Sequence, residues 1–251
     1  MPIECDDNFQ GTGKTVFWDA STFEIIRADY PVRFYDDFCG AFLQKYTANE
    51  DTHSLWNTTE TSINTAIAKV ADDHHVALVL DNTDRSEIAA LHFGDQECFN
   101  LERGLMFETR VTFSTLPTTG TQTVQAVFGV AGEHNSTLDS IDCNAWFRVE
   151  SAAQTALLWE TDDNTTNDDD NSAGIVLVAN TWHIYRIHAI SKNVVKFYVD
   201  GALVGTGNMS GLSSTTGDVQ PYFNVSKVKS TNNTGTGTML IDYCKVWENR
   251  S

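Results

Sequence analysis

Asp200-Gly201 stands between two apolar runs, Val-Val-Lys-Phe-Tyr-Val before it and Ala-Leu-Val-Gly-Thr-Gly after it. An Asp-Gly pair so placed is the strongest short-range signal for a two-residue β-hairpin. The turn needs positive φ, which Gly adopts without steric cost. The rest of the chain supports strands of the kind such a hairpin joins. Leu105, Phe107, Thr109, Val111 and Phe113 alternate with Met106, Glu108, Arg110 and Thr112. Val124, Ala126, Phe128 and Val130 repeat the pattern, and Cys143, Ala145, Phe147 and Val149 oppose Asn144, Trp146, Arg148 and Glu150. A period of two with a polar second face marks a half-buried antiparallel strand. About a dozen such runs, parted by Gly-, Asn- and Thr-rich turns, predict an all-β, two-sheet antiparallel sandwich. No longer period repeats, which excludes solenoids and propellers.

The length of 251 residues suits one large β domain, and the four prolines mark no linker. Residues 1–33 differ from the rest. Their apolar residues are scattered, which predicts an N-terminal arm that packs on the domain at 34–251 or on a neighbouring subunit. Phe17, Trp18, Phe23 and Ile25 are its candidate contacts. The formal net charge of −18 excludes nucleic acid as a partner, because phosphate binding needs clustered Lys and Arg. It also disfavours an anionic membrane, and no apolar run approaches the ~20 residues of a membrane span. Met-Pro-Ile-Glu-Cys-Asp-Asp lacks the basic and apolar regions of a signal peptide. Five widely spaced cysteines fit reduced thiols in a protein made in a cytoplasm.

Motifs that could carry chemistry are few. Gly11-Thr-Gly-Lys-Thr15 resembles a phosphate loop, but Asn8 stands where that loop needs its first Gly. Glu160 to Asp170 holds six carboxylates in eleven residues. Ca²⁺ would take ligands of this kind, with Asp162, Asp163, Asp168 and Asp170 as candidates. The spacing does not match the calcium loop of helix-loop-helix proteins, so the run reads as a solvated connection and no other cofactor is expected. Neither His74-His75 nor His183/His188 has metal-ligand spacing; they read as surface or interface residues. Glu108 and Arg110 share a face and read as an ion pair. Trp146 and Trp159 are the candidates for a sugar-stacking platform, whereas Trp182 and Trp247 read as packing. Glycosidases need two carboxyls facing one sugar. The Glu-X-Asp-X-X-Glu string of family 16 laminarinase-like enzymes is absent, as is Gly-X-Ser-X-Gly. No catalytic residue is assigned, and the expectation is a protein that is not an enzyme.

The order of the last elements is specific. A Trp-led strand from Thr181 precedes the Asp-Gly hairpin, then Gln-Pro-Tyr-Phe-Asn-Val, then Met-Leu-Ile-Asp-Tyr-Cys-Lys-Val-Trp. It resembles the concanavalin A-like lectin/glucanase jelly roll in its laminin-G-like variants. The resemblance implies a jelly roll over 34–251, starting at Phe34-Tyr-Asp-Asp-Phe38 with Trp56 marking the first strand region. It also implies a strand within Thr61–Ala71, where Ile63, Ile67 and Val70 have helical spacing. Three stretches, Asp36-Asp37-Phe38, Leu91 to Val111 and Ile241 to Trp247, resemble virion proteins of tailed bacteriophages. That implies a capsid decoration (cement) protein, made in the host cytoplasm and placed on the virion surface. Its implied partners are the major capsid protein and sister copies, as a trimer. The alternatives are a carbohydrate-binding or receptor-recognition module for a host glycan, and a divergent glycan hydrolase or lyase.

Overall fold

A computed structural model describes residues 3–6, 16–19, 25–27, 32–39, 55–61, 66–70, 74–118, 124–153, 155–165, 167–212, 217–228 and 234–249. The strands are β1 (Ile3–Asp6), β2 (Val16–Asp19), β3 (Ile25–Arg27), β4 (Val32–Asp36), β5 (Asn57–Glu60), β6 (Ala66–Val70), β7 (His75–Val79), β8 (Glu87–His92), β9 (Phe99–Asn100) and β10 (Leu105–Thr115). They continue with β11 (Val124–Ala131), β12 (Asn144–Glu150), β13 (Ala156–Asp162), β14 (Asn167–Val176), β15 (His183–Ser191), β16 (Val194–Val199), β17 (Ala202–Gly207), β18 (Asp218–Lys227) and β19 (Thr238–Glu248).

Two antiparallel sheets form the sandwich. Sheet I runs β17-β16-β15-β10-β19-β7-β6, with β4 also on β19; sheet II runs β14-β13-β12-β11-β18-β8-β5, with β9 also on β18. The alternating positions read from the sequence face inward as expected. Phe107, Phe128, Phe147, Tyr185 and Phe197 are fully buried between the sheets. Phe128 meets Tyr185 edge-on at 4.7 Å, Phe147 meets Phe197 edge-on at 5.4 Å, and Phe128 stacks on Phe147 at 5.5 Å. Burial of each such ring contributes about 2–3 kcal/mol. Asp200 and Gly201 both take positive φ, +49° and +83°, and close the β16–β17 hairpin.

The Asp-Asp-Phe opening has a mechanical role. Asp36 accepts hydrogen bonds from the Trp56 indole Nε1 and the Phe38 amide, each at 2.8 Å, which ties the end of β4 to the approach to β5. Residues 66–70 form a strand, as the resemblance implies. The first strands, β1–β3, make a separate antiparallel sheet, with Phe17 opposite Ile26. The side chains of Phe17, Trp18 and Ile25, and all of Phe23, lie outside the described residues.

The acidic stretch differs from the expected loop. Glu160 to Asp162 end β13 and Asn167 to Asp170 begin β14, so most of the run is hairpin ladder. Glu160 and Asp163 are buried. Asp163 accepts the amide hydrogens of Thr165 and Gly211, which turns it inward instead of toward solvent. Asp168 is half-buried, Asp170 is exposed, and Asp162 is half-buried and caps the Asn164 amide. Among the described residues, no group of three or more His, Cys, Asp or Glu is placed to hold a metal ion.

Candidate functional site on the outer face of sheet II

The outer face of sheet II is built from the even-numbered residues of β12, β13, β18 and β8. Register aligns Asn57, His92, Tyr222, Gly129, Trp146 and Glu160 in one row across six strands. The next row carries Asn224, Val127 and Arg148. The segment from Gly132 to Cys143, with its short 3₁₀ turn at Leu138–Ser140, folds over this face. Its Leu138 and Ile141 bury a small second core with Val127, Ala131, Trp146 and Tyr222.

This arrangement corrects the sugar-platform expectation. Trp146 sits opposite Glu160, and Trp159 sits opposite Phe147. The two indoles therefore point to opposite faces of sheet II. Trp146 is fully buried under the 132–143 segment, and Trp159 stacks on Phe197 in the main core at 5.1 Å. They cannot share a sugar.

Polar groups on the same face are under-satisfied. Among the described residues, five buried side-chain polar atoms lack a well-formed hydrogen bond, and four lie here: Asn144 Oδ1, Arg148 Nε, Asn224 Oδ1 and Trp146 Nε1, whose indole still interacts with the Glu160 carboxyl. An unpaired buried polar group costs about 1–3 kcal/mol, so four on one face are a concentrated cost. Natural interiors keep few such groups, and each calls for a cause.

Titratable groups surround them. The Tyr222 hydroxyl accepts from Asn224 Nδ2 at 3.1 Å and lies 2.7 Å from His134 Nδ1. Having accepted from the amide, it donates to Nδ1, which leaves the His134 proton on Nε2. His134 is half-exposed and stacks on His92 at 4.6 Å. His92 Nδ1 accepts from the Gly94 amide, so its Nε2 donates to Thr59 Oγ1 at 3.1 Å. Burial and then the neighbouring His134 push His92 down to about 4. Burial lowers His134 and raises Tyr222. At neutral pH the row is therefore an uncharged Tyr-His-His chain that reaches solvent at His134.

A second cluster lies at the far end of the face. Arg148 contacts Glu160 and Asp139 through one guanidinium nitrogen, each at 3.0 Å, and Glu150 through another at 2.7 Å. Burial drives Glu160 up to about 7, against the opposing pull of Arg148. Glu150 is also raised, chiefly by burial. Glu160 is thus a buried carboxyl on which burial and its Arg148 partner pull in opposite directions. None of His92, His134, Tyr222, Glu160 or Arg148 was singled out from the sequence as a site residue. They come from β8, the 132–143 segment, β12, β13 and β18, and only strand register brings them together.

No family model matches the chain, and no curated protein does either. Solved structures match most of its length. A structure from work on endo-acting O-glycanases, expressed by prominent human gut bacteria to initiate mucin breakdown, aligns with a TM-score of 0.57 at 12% identity. It covers 86% of this chain and 99% of that one. A protein of unknown function, SO2946 from Shewanella oneidensis MR-1, aligns with a TM-score of 0.57 at 11% identity, over 88% of each chain. The carbohydrate recognition domain of Emp47p aligns at 0.49 and 11%, over 85% of this chain and 96% of its own. The first two likenesses and the two-sheet architecture establish the fold: the chain is an all-β jelly-roll sandwich of the concanavalin A-like kind. The first of them also corrects the expectation of a non-enzyme, since it comes from work on O-glycanases and shares this sandwich. The missing Glu-X-Asp-X-X-Glu string excludes one arrangement of carboxyls, not catalysis on this scaffold.

Proposed function

We propose that this chain is a glycan-acting jelly-roll domain, with its ligand seated on the outer face of sheet II at the His134 rim. The observation that carries the reading is the Tyr222-His134-His92 chain on one sheet face, hydrogen-bonded and stacked, which opens to solvent at His134. Sugar hydroxyls both donate and accept, so they match a rim where the half-exposed His134 ring stands beside carboxylates. The rim is acidic: Asp95, Glu133 and Glu97 lie around the two histidines. A neutral glycan suits it better than a polyuronate. The structural neighbours whose names speak of glycans are consistent with this class.

The test is calorimetric titration with a panel of neutral oligosaccharides, followed by product analysis on those that bind. Binding that falls at least about tenfold in Tyr222→Phe and His134→Ala supports the reading. Absence of binding to any neutral glycan by the folded protein overturns it.

The virion role implied by the sequence resemblance is compatible with glycan work and forms a second proposal. It is favoured by β1–β3, which among the described residues form a three-stranded sheet of their own beside the two sandwich sheets. In this reading the arm joins the domain to a capsid protein or to sister copies in a trimer, on the surface of a particle.

A further inference from the structure

The outer face of sheet I has the opposite electrical character from the rest of the molecule. The chain has 16 Lys and Arg against 34 Asp and Glu. Five of the cations, Arg33, Arg110, Arg186, Lys196 and Lys245, project from this one face, on β4, β10, β15, β16 and β19. Its carboxylates are Glu108 and Asp242, with Asp37 and Asp200 at the rim. The face proper carries a formal +3, which leaves −21 on the remainder of a chain whose total is −18.

Aromatic rings interleave with these charges. Lys245 Nζ lies 4.4 Å from the Tyr243 ring centroid and 5.7 Å from that of Tyr35, and Arg110 lies 4.9 Å over Trp182. Glu108 is the hub. It accepts from Arg186 at 2.6 Å, Tyr243 at 3.1 Å and Lys245 at 3.2 Å. Burial opposes its ionisation, but those hydrogen bonds hold it below the usual carboxylate range. The hub fixes two cations in place without covering them, since Arg186 and Lys245 keep 42% and 38% of their side-chain surface. Among the described residues, Arg33 and Lys196 have no carboxylate in ion-pair range.

The face also has a receptacle. A half-open depression of about 300 Å³ is lined by Trp182, Arg110, Asn180, His75, Thr112 and Asp242. Its volume is at the small end for ligand sites. The Thr112 hydroxyl is buried with no partner among the described residues, a polar atom ready for a ligand group.

We infer that the outer face of sheet I is a second site, for an anionic polysaccharide, distinct from the neutral-glycan face on sheet II. One sugar sits in the Trp182 depression. The chain then runs across Tyr243, Lys245 and Arg186 toward Lys196. Flat rings take the apolar faces of sugars, and guanidinium groups take carboxylate or sulfate in two-point contact. The depression favours a sugar over a flat protein partner. Repulsion from the acidic remainder is screened beyond roughly 8 Å at physiological ionic strength, so the local face governs at contact.

The test uses the full chain and hexasaccharides of polygalacturonate and of neutral galactose, titrated at low and high NaCl. The expected result is binding of the uronate, weakened by salt, with the neutral hexasaccharide at least about tenfold weaker at this site. Arg33→Glu with Lys196→Glu should weaken uronate binding by a further factor of about ten. Neither side chain pairs with a carboxylate among the described residues, so the double variant keeps its thermal midpoint. Trp182→Ala reports on the depression separately. Equal affinity for charged and neutral sugars in the Tyr222→Phe chain, where the sheet II site is removed, or full uronate binding by the double variant, overturns the inference. So does a salt-sensitive dimer in sedimentation velocity, lost in the double variant and accompanied by no uronate binding, because the face would then serve a second copy of the chain. Neutral-glycan binding lost in Tyr222→Phe tests the sheet II site alone and leaves this result unchanged.

Discussion

Two residues of sheet II respond to pH with opposite sign. His92 falls from 6.5 to about 4 on folding, so the unfolded chain binds more protons between those values. Stability therefore rises with pH across that window. Glu160 rises from 4.5 to about 7, so the folded chain binds more protons there, and stability falls as pH climbs through that range. Each shift corresponds to about 3 kcal/mol, and the two slopes oppose each other between 4.5 and 6.5. Glu160→Gln keeps an acceptor for Arg148 but removes one of the two titrations. Its unfolding free energy should rise more steeply than that of the wild type from pH 4.5 to 6.5, measured by urea titration at fixed salt. Parallel slopes in the two proteins would show that burial does not hold Glu160 protonated. Gly129 is the second residue with a sharp requirement. A Cβ there would lie 2.3 Å from the Ala145 carbonyl oxygen and 2.6 Å from Trp146 Cα. These are backbone atoms of the paired strand and cannot step aside. Gly129→Ala should cost about 2–3 kcal/mol in the same assay.

At the level of elements, Lys227 shows how loops are held to strands. Its side chain is fully buried, and Nζ donates to the carbonyls of Asp81, Thr83 and Gly235 and pairs with Glu87 at 3.2 Å. One ammonium thus ties β18 to the 81–86 loop and to the approach to β19. Lys227→Met removes the cation and leaves Glu87 buried without it, which should cost about 3–5 kcal/mol. A change below about 1 kcal/mol in denaturant unfolding would count against that account. The arm is the other element with a stated role. Deleting residues 1–30 should leave a folded sandwich that no longer joins particles or oligomers, and normal incorporation of the truncated chain would sink the attachment proposal. Strands of this kind were legible in the sequence because period two and turn chemistry are local. Asp200-Gly201 and the Leu105–Phe113 alternation carried their elements without help. Register is not local. Trp146 was placed on the outer side of β12 by parity alone, but nothing near it shows that Glu160 is its neighbour or that the 132–143 segment covers it. His92, His134 and Tyr222 are far apart in sequence, in no pattern that spacing could reveal. Trp182, read as packing, lines a depression because Arg110 and Asp242 meet it from other strands.

The whole molecule combines a strongly acidic surface with one basic face, so salt should act on stability and on binding in opposite directions. Self-repulsion of the −21 remainder strains the folded state at low ionic strength, and added salt relieves it. Contacts between the sheet I face and an anionic sugar weaken under the same screening. Melting midpoints should therefore climb from 10 to roughly 300 mM NaCl while uronate affinity drops. The acidic β13–β14 hairpin allows a sharper version of the experiment. Asp163 is engaged with two backbone amides, and the half-buried Asp168 and the exposed Asp169 and Asp170 lie along a strand in place of a cage. Calcium at matched ionic strength should then stabilise no more than NaCl does. An ion that bound the folded state specifically would raise the midpoint by mass action beyond the screening effect. A calcium-specific rise of many degrees, reversed by chelator and lost in Asp168→Asn with Asp170→Asn, would make those carboxylates ligands. Matching curves would leave them as the charge that keeps this face in solvent.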